Sequence, residues 1–183
     1  IESYYIENST FDGIQAIYSP SFGEWESKFQ VYHGQSLDKG ALRLADVNGA
    51  VLYVANSWLE LRATMMETNI ITELKGVNTG TGEITDLGDV ETPSVYTGAA
   101  FKINLERGFL TAEWAKDQED KGVQEFQYLE GVEGWYASAG LNIGDLSPYV
   151  TYAENRFTVS EENPYSNGKL SVLTESWTVG ARW

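Results

Sequence analysis

No cysteine occurs among the 183 residues, and histidine occurs once. The first absence excludes disulfide frameworks and zinc–thiolate centres. The second excludes His-rich metal sites and leaves His33 as the sole imidazole. Basic residues are scarce: 12 Lys and Arg stand against 27 Asp and Glu, a formal net charge of -15. Nucleic acid is thereby excluded as a partner, because phosphate binding needs clustered Lys and Arg. Docking on an anionic lipid surface through basic residues is excluded on the same ground. No run of about 18 apolar residues is present to span a bilayer as a helix. The first residues, Ile1-Glu2-Ser3-Tyr4-Tyr5, have neither the basic start nor the apolar stretch of a signal peptide.

Aromatic side chains are plentiful, with 11 Tyr and 6 Trp. Rings of this kind suit the headgroup level of a bilayer and form the girdles of membrane barrels. Aromatic-rich soluble β domains use them too, so composition leaves both readings open. Alternation separates them further. In residues 59–66, Leu59, Leu61, Ala63 and Met65 alternate with Glu60, Arg62, Thr64 and Met66. The period of two predicts a strand with one apolar face. The same pattern recurs over 25–32, 99–105, 110–115, 135–143 and 177–183.

Counting such segments predicts strands over 10–19, 24–35, 48–55, 58–70, 94–105, 109–117, 131–143, 146–155 and 173–183. Short connections near Pro20–Glu24, Asn56–Ser57, Glu106–Gly108 and Gly144–Ser147 take turns with long ones near 36–47, 71–93, 117–130 and 155–172. Outer-membrane barrels keep that rhythm, with short periplasmic turns and long extracellular loops. A soluble sandwich has no reason to. The expected fold is therefore all-β, an antiparallel up-and-down transmembrane β-barrel forming a single domain over 1–183. An odd strand count does not close such a barrel, since bacterial single-chain barrels have even numbers. Residues 1–8 supply a tenth strand, or earlier strands precede Ile1; the abrupt start favours the second. The C-terminal end stays open in the same way.

Phe11-Asp12-Gly13-Ile14-Gln15-Ala16-Ile17-Tyr18-Ser19, then Gly23-Glu24-Trp25 and Phe29-Gln30-Val31-Tyr32-His33-Gly34, resemble porin-like outer-membrane proteins of gammaproteobacteria. So do the Gly131–Asn155 stretch, with its Leu-Ser-Pro-Tyr turn, and Ser176-Trp177-Thr178-Val179-Gly180-Ala181-Arg182-Trp183. Such proteins are about twice this length with roughly 16 strands, which implies that the chain is the later part of a larger barrel. The resemblance implies a Gram-negative outer-membrane location and a channel for passive transport of small hydrophilic solutes or ions. It implies no cofactor, no metal and no enzymatic activity. Outer-membrane lipid and lipopolysaccharide are the implied partners, with room for a homo-oligomer or a protein partner. Two other functions fit the same pattern: a barrel serving as a structural sleeve or adhesin, and a soluble carbohydrate-binding β domain.

Strand parity assigns the pore-lining candidates: Glu26, Lys28, Tyr32, Glu60, Arg62, Lys102, Asn104, Glu113, Tyr136, Tyr149 and Arg182. The other parity gives the lipid-facing or interfacial candidates: Trp25, Phe29, Leu59, Leu61, Phe101, Trp114, Trp135, Trp177 and Trp183. Charged residues around a pore set its selectivity through local potential. Acidic residues gather in the predicted long loops: Glu83, Asp86, Asp89 and Glu91; Asp117, Glu119 and Asp120; and Glu154, Glu161 and Glu162. They could draw cations to the mouth or bind divalent ions, or simply be solvated. The stretch 71–93 is the longest and is a candidate constriction loop. His33 is expected to face outward near a strand end. Glu60 and Glu113 are the one carboxylate pair to weigh for glycoside hydrolysis, though alternating strands produce such pairs by chance.

Overall fold

The computed structural model describes residues 11–36, 42–77, 84–119, 129–159 and 170–183. They form one antiparallel sheet and no helix. The strands are β1 (Phe11–Tyr18), β2 (Ser21–Phe22), β3 (Trp25–Ser36), β4 (Leu42–Ala55), β5 (Leu59–Val77), β6 (Ile84–Leu105), β7 (Gly108–Glu119), β8 (Leu129–Leu141), β9 (Ser147–Val159) and β10 (Leu170–Arg182). Apart from the two-residue β2, which pairs with β3, each strand pairs with its neighbour in chain order, from β1 to β10.

Local chemistry sets the tight connections. Gly23 and Gly144 take positive φ at two of the turns, +63° and +62°, a conformation that costs glycine little. At a third, Asn56 Oδ1 accepts from the backbone N–H groups of Trp58 (3.0 Å) and Leu59 (2.8 Å). That side-chain turn reverses the chain between β4 and β5. All the tight turns lie at one end of the sheet, the turn end below. Residues 37–41, 78–83, 120–128 and 160–169 fall outside the described residues.

The sheet is open among the described residues: β1 and β10 each pair on one side only. Nine long strands match the predicted count, but their lengths do not. Strands β5 and β6 have 19 and 22 residues, and they pair continuously apart from one register shift at Leu74/Lys75. Residues 71–77 and 84–93, predicted as loop and as a candidate constriction, are thus a hairpin continuing the sheet. Asp86, Asp89, Glu91, Asp117, Glu119 and Glu154 likewise belong to strands. The physical reason is that alternation of hydrophobicity ends before the strands do. Beyond the apolar zone polar and apolar residues keep no period of two, as in Ile84, Leu87 and Val90, three apart, so the pattern reads as loop. Ile143 departs in the other direction: β8 ends at Leu141, and Ile143 instead bridges Leu146 in the turn. The predicted strand over 1–8 and the acidic residues Glu83, Asp120, Glu161 and Glu162 lie outside the described residues.

The two faces of the sheet differ in crowding as well as polarity. Directly opposed residues share a face, so register assigns every position. Among the described residues, the buried side chains are those of Leu44, Val47, Ala55, Ala100, Ala115, Thr68, Thr92, Ser94, Glu113 and Ser138, and all lie on one face. The other face carries exposed Tyr18, Phe29, Leu52, Leu61, Met65, Trp177 and Val179. Side chains crowd on a concave face and splay on a convex one. The polar face is therefore the concave one. The accessible surface is 12481 Å², against about 8,800 Å² expected of a compact 20.4 kDa chain. A conventional apolar core is missing from the sheet.

Candidate functional site

The concave face is built in rows, one residue per strand. One row reads Lys28, Tyr53, Arg62, Ala100, Glu113 and Tyr136, from β3 to β8. The next, closer to the turn end, reads Glu26, Ala55, Glu60, Lys102, Thr111, Ser138, Thr151 and Thr178. Closer still come Asn104, Phe109, Gly140, Tyr149 and Gly180, then Arg182 opposite Ser147. Tyr32 stands in an outer row, opposite Gly49. Every predicted pore-lining residue thus lies on this one face.

At its centre, Arg62 Nη2 lies 3.6 Å from Glu113 Oε1. The two residues belong to β5 and β7, and the methyl group of Ala100 on β6 leaves the space for them to meet. Tyr136 Oη donates to Glu113 Oε2 at 3.3 Å. The Glu113 side chain is only 4% exposed; a buried carboxylate needs such partners. Glu60, the other carboxylate weighed with it, stands on the same face in the next row. Nearby, Thr151 Oγ1 donates to Ser138 Oγ at 2.8 Å.

Glycine and aromatic residues alternate across strands on this face. A Cβ at Gly49 would lie 2.2 Å from the Tyr32 ring, one at Gly140 2.4 Å from Phe109, and one at Gly180 2.5 Å from the Tyr149 hydroxyl. Each glycine is directly opposite its ring on the adjacent strand. The ring fills the space its neighbour leaves and covers the bare backbone. Two of these rings hold Arg182. Its guanidinium carbon lies 5.2 Å from the Tyr149 ring centre and 5.9 Å from that of Phe109. Between these groups runs an open trough of about 620 Å³, lined among others by Glu60, Lys102, Asn104, Phe109, Tyr136, Tyr149 and Arg182.

The convex face carries the predicted lipid-facing set. Phe29, Trp114 and Trp135 share one row; Leu61, Phe101 and Trp177 share the next; Leu59 stands in a third. Trp135, Tyr152 and Trp177 form a ladder of tilted rings, with centres 5.3 Å and 4.8 Å apart. At the turn end Phe22, Trp25, Trp58 and Trp183 are all exposed, Trp183 at 98%. Away from the turn end the face becomes polar: Trp114 Nε1 donates to Glu133 Oε1 at 2.8 Å, and Arg156 pairs with Glu154 at 3.4 Å. His33 is on this face, opposite Asn48, with Nδ1 2.8 Å from Asn48 Oδ1.

Tyr53, Phe109, Thr111, Ser138 and Thr151 also stand on the concave face but were not among the predicted pore-lining residues. Tyr53 stands in a stretch apolar on both faces, and Phe109 abuts a turn. The hydroxyl residues were legible as small polar positions but carried no distinguishing signal. Among the described residues no cluster of His or carboxylate groups could hold a metal. No family model, no curated protein and no solved structure matches this chain. Its functional reading therefore rests on the geometry of the two faces.

Proposed function

We propose that this chain forms wall of a bacterial outer-membrane β-barrel of the porin-like kind, through which small hydrophilic solutes or ions diffuse passively. One observation carries the reading: a single meandering sheet pairs a crowded polar concave face with an exposed apolar convex face bounded by aromatics. Burying one large apolar side chain is worth roughly 1.5–3 kcal/mol. A whole face of them left in water forgoes more than the about 5–15 kcal/mol that holds a domain together. Something apolar must cover that face, and lipid covers it without a partner chain.

The reading also accounts for the concave face. Hydrated charges of both signs, Glu26, Lys28, Glu60 and Lys102, are unremarkable against a water-filled lumen and costly in a closed core. No cofactor or chemical step is needed: solutes cross down their gradient, filtered by width and lumen charge. Heat-modifiable migration of the detergent-folded protein, followed by planar-bilayer conductance, tests the proposal. Expected are a faster-migrating unboiled form and stepwise conductance. A protein that stays soluble without detergent and migrates identically before and after boiling overturns the barrel. A folded, heat-modifiable barrel without conductance overturns the channel and favours a sleeve.

A further inference from the structure

The strand arginines of this protein find two different kinds of partner. Arg43 pairs with Asp89 at 2.7 Å, Arg62 with Glu113, and Arg156 with Glu154. Arg182 has no ion pair among the described residues; it has two aromatic rings. Ring faces attract the cation without using its N–H groups. The five donors of the guanidinium thus remain available for another acceptor.

This arrangement is built rather than incidental. Gly140 and Gly180 have no side chain where the Phe109 and Tyr149 rings lie, and a methyl group at either would collide with its ring. Two glycines seat two rings, and two rings seat one guanidinium. An arginine that merely wetted the lumen would need neither. Lys102 lines the same trough. Glu60 is directly opposite it on β5, yet Lys102 makes no ion pair among the described residues. Glu113, the nearest buried carboxylate of this face, is already engaged by Arg62 and Tyr136. The trough thus presents two uncommitted cations beside one uncommitted carboxylate, in a chain whose net charge is -15. Hydroxyls of Tyr136, Ser138 and Thr151 complete its polar lining.

We propose that the trough at the turn end of the concave face is a binding subsite for small oxyanions, carboxylate or phosphate, held between Arg182 and Lys102. A planar guanidinium accepts both groups in bidentate fashion, and a flexible ammonium adds a point charge. The inference deepens the channel reading and rests on it for its biological meaning: the pore would favour anionic solutes.

Saturation-transfer NMR on the detergent-folded protein tests the site without needing a channel. The probes are inorganic phosphate, succinate (read on its protons), and glucose as a neutral control; phosphate is read by ³¹P line broadening. Expected is saturable binding of both anions and none of glucose, with apparent Kd raised about tenfold in Arg182→Gln or Lys102→Gln, the loss of one charge-assisted contact. Arg182→Lys keeps the charge but loses the stacked fork, and is expected to fall between. Gly180→Ala displaces the Tyr149 ring and should weaken binding although it touches no ligand. Succinate alone binding points to a carboxylate source, phosphate alone to a phosphoryl one; either upholds the site. Equal affinities in all variants, or glucose binding as well as the anions, overturns it. Binding that persists in a protein without bilayer conductance upholds the subsite and overturns the channel.

Discussion

Arg62 and Glu113 are two strands apart, about 9.6 Å at the usual spacing of about 4.8 Å, and only the small side chain of Ala100 lies between them. Glu113 is nearly fully buried, while Arg62 keeps a third of its side chain exposed. Removing Arg62 therefore leaves a buried carboxylate with Tyr136 alone. Arg62→Gln is expected to destabilise the folded protein by about 1–3 kcal/mol. The double variant Arg62→Gln with Glu113→Gln should recover most of that loss, because the unpaired charge is gone. Urea unfolding in phospholipid vesicles measures both; strictly additive losses would show that the pair is uncoupled. The glycine niches behave similarly. Gly49→Ala places a methyl group within the Tyr32 ring and should cost about 1–3 kcal/mol through overpacking. Adding Tyr32→Ala should restore part of it. If Tyr32→Ala merely adds its own loss, the ring is not what constrains position 49.

Strands carry a second kind of prediction, because depth along a strand decides what a charge costs. Phe101 and Thr97 are on the same face of β6, Phe101 within the apolar zone and Thr97 at its margin, between Met65 and Lys116. Phe101→Arg is expected to cost about 2–4 kcal/mol and Thr97→Arg about 0–1 kcal/mol in a bilayer. Equal costs at the two depths, measured by unfolding in vesicles, would argue against lipid on this face. The same zoning explains what could be read from sequence. Where one face is apolar, as in Leu59–Met65 or Trp135–Leu141, alternation located both the strand and its faces. Where no period of two is kept, as in residues 84–93 with Ile84, Leu87 and Val90 three apart, nothing in the pattern distinguishes strand from loop; backbone pairing alone extends the hairpin there. Where both faces are apolar, as in Ala50–Val54, the strand was legible but its faces were not, and Tyr53 was missed. The Arg182 stack was invisible for another reason: it joins β7, β9 and β10, and no sequence interval encodes that meeting.

At the scale of the molecule, the sheet poses a question of parity. β1 and β10 both run toward the turn end, so closing them on each other would pair parallel strands. Antiparallel closure needs an odd number of further strands between them. Open edges in lipid would leave backbone groups unpaired at several kcal/mol each, so a membrane reading of this sheet carries closure with it. The opposite character of the two faces is directly accessible to measurement, because the chain has no cysteine. Single cysteines introduced from Leu59 to Met66 can each carry a nitroxide without background labelling. With the protein in phospholipid vesicles, electron paramagnetic resonance then reports collision with oxygen, which concentrates in lipid, and with a water-soluble nickel chelate. Strict alternation is expected: oxygen contact at Leu59, Leu61, Ala63 and Met65, and nickel contact at Glu60, Arg62 and Thr64. Nickel contact at both sets of positions, with no period of two, would contradict it.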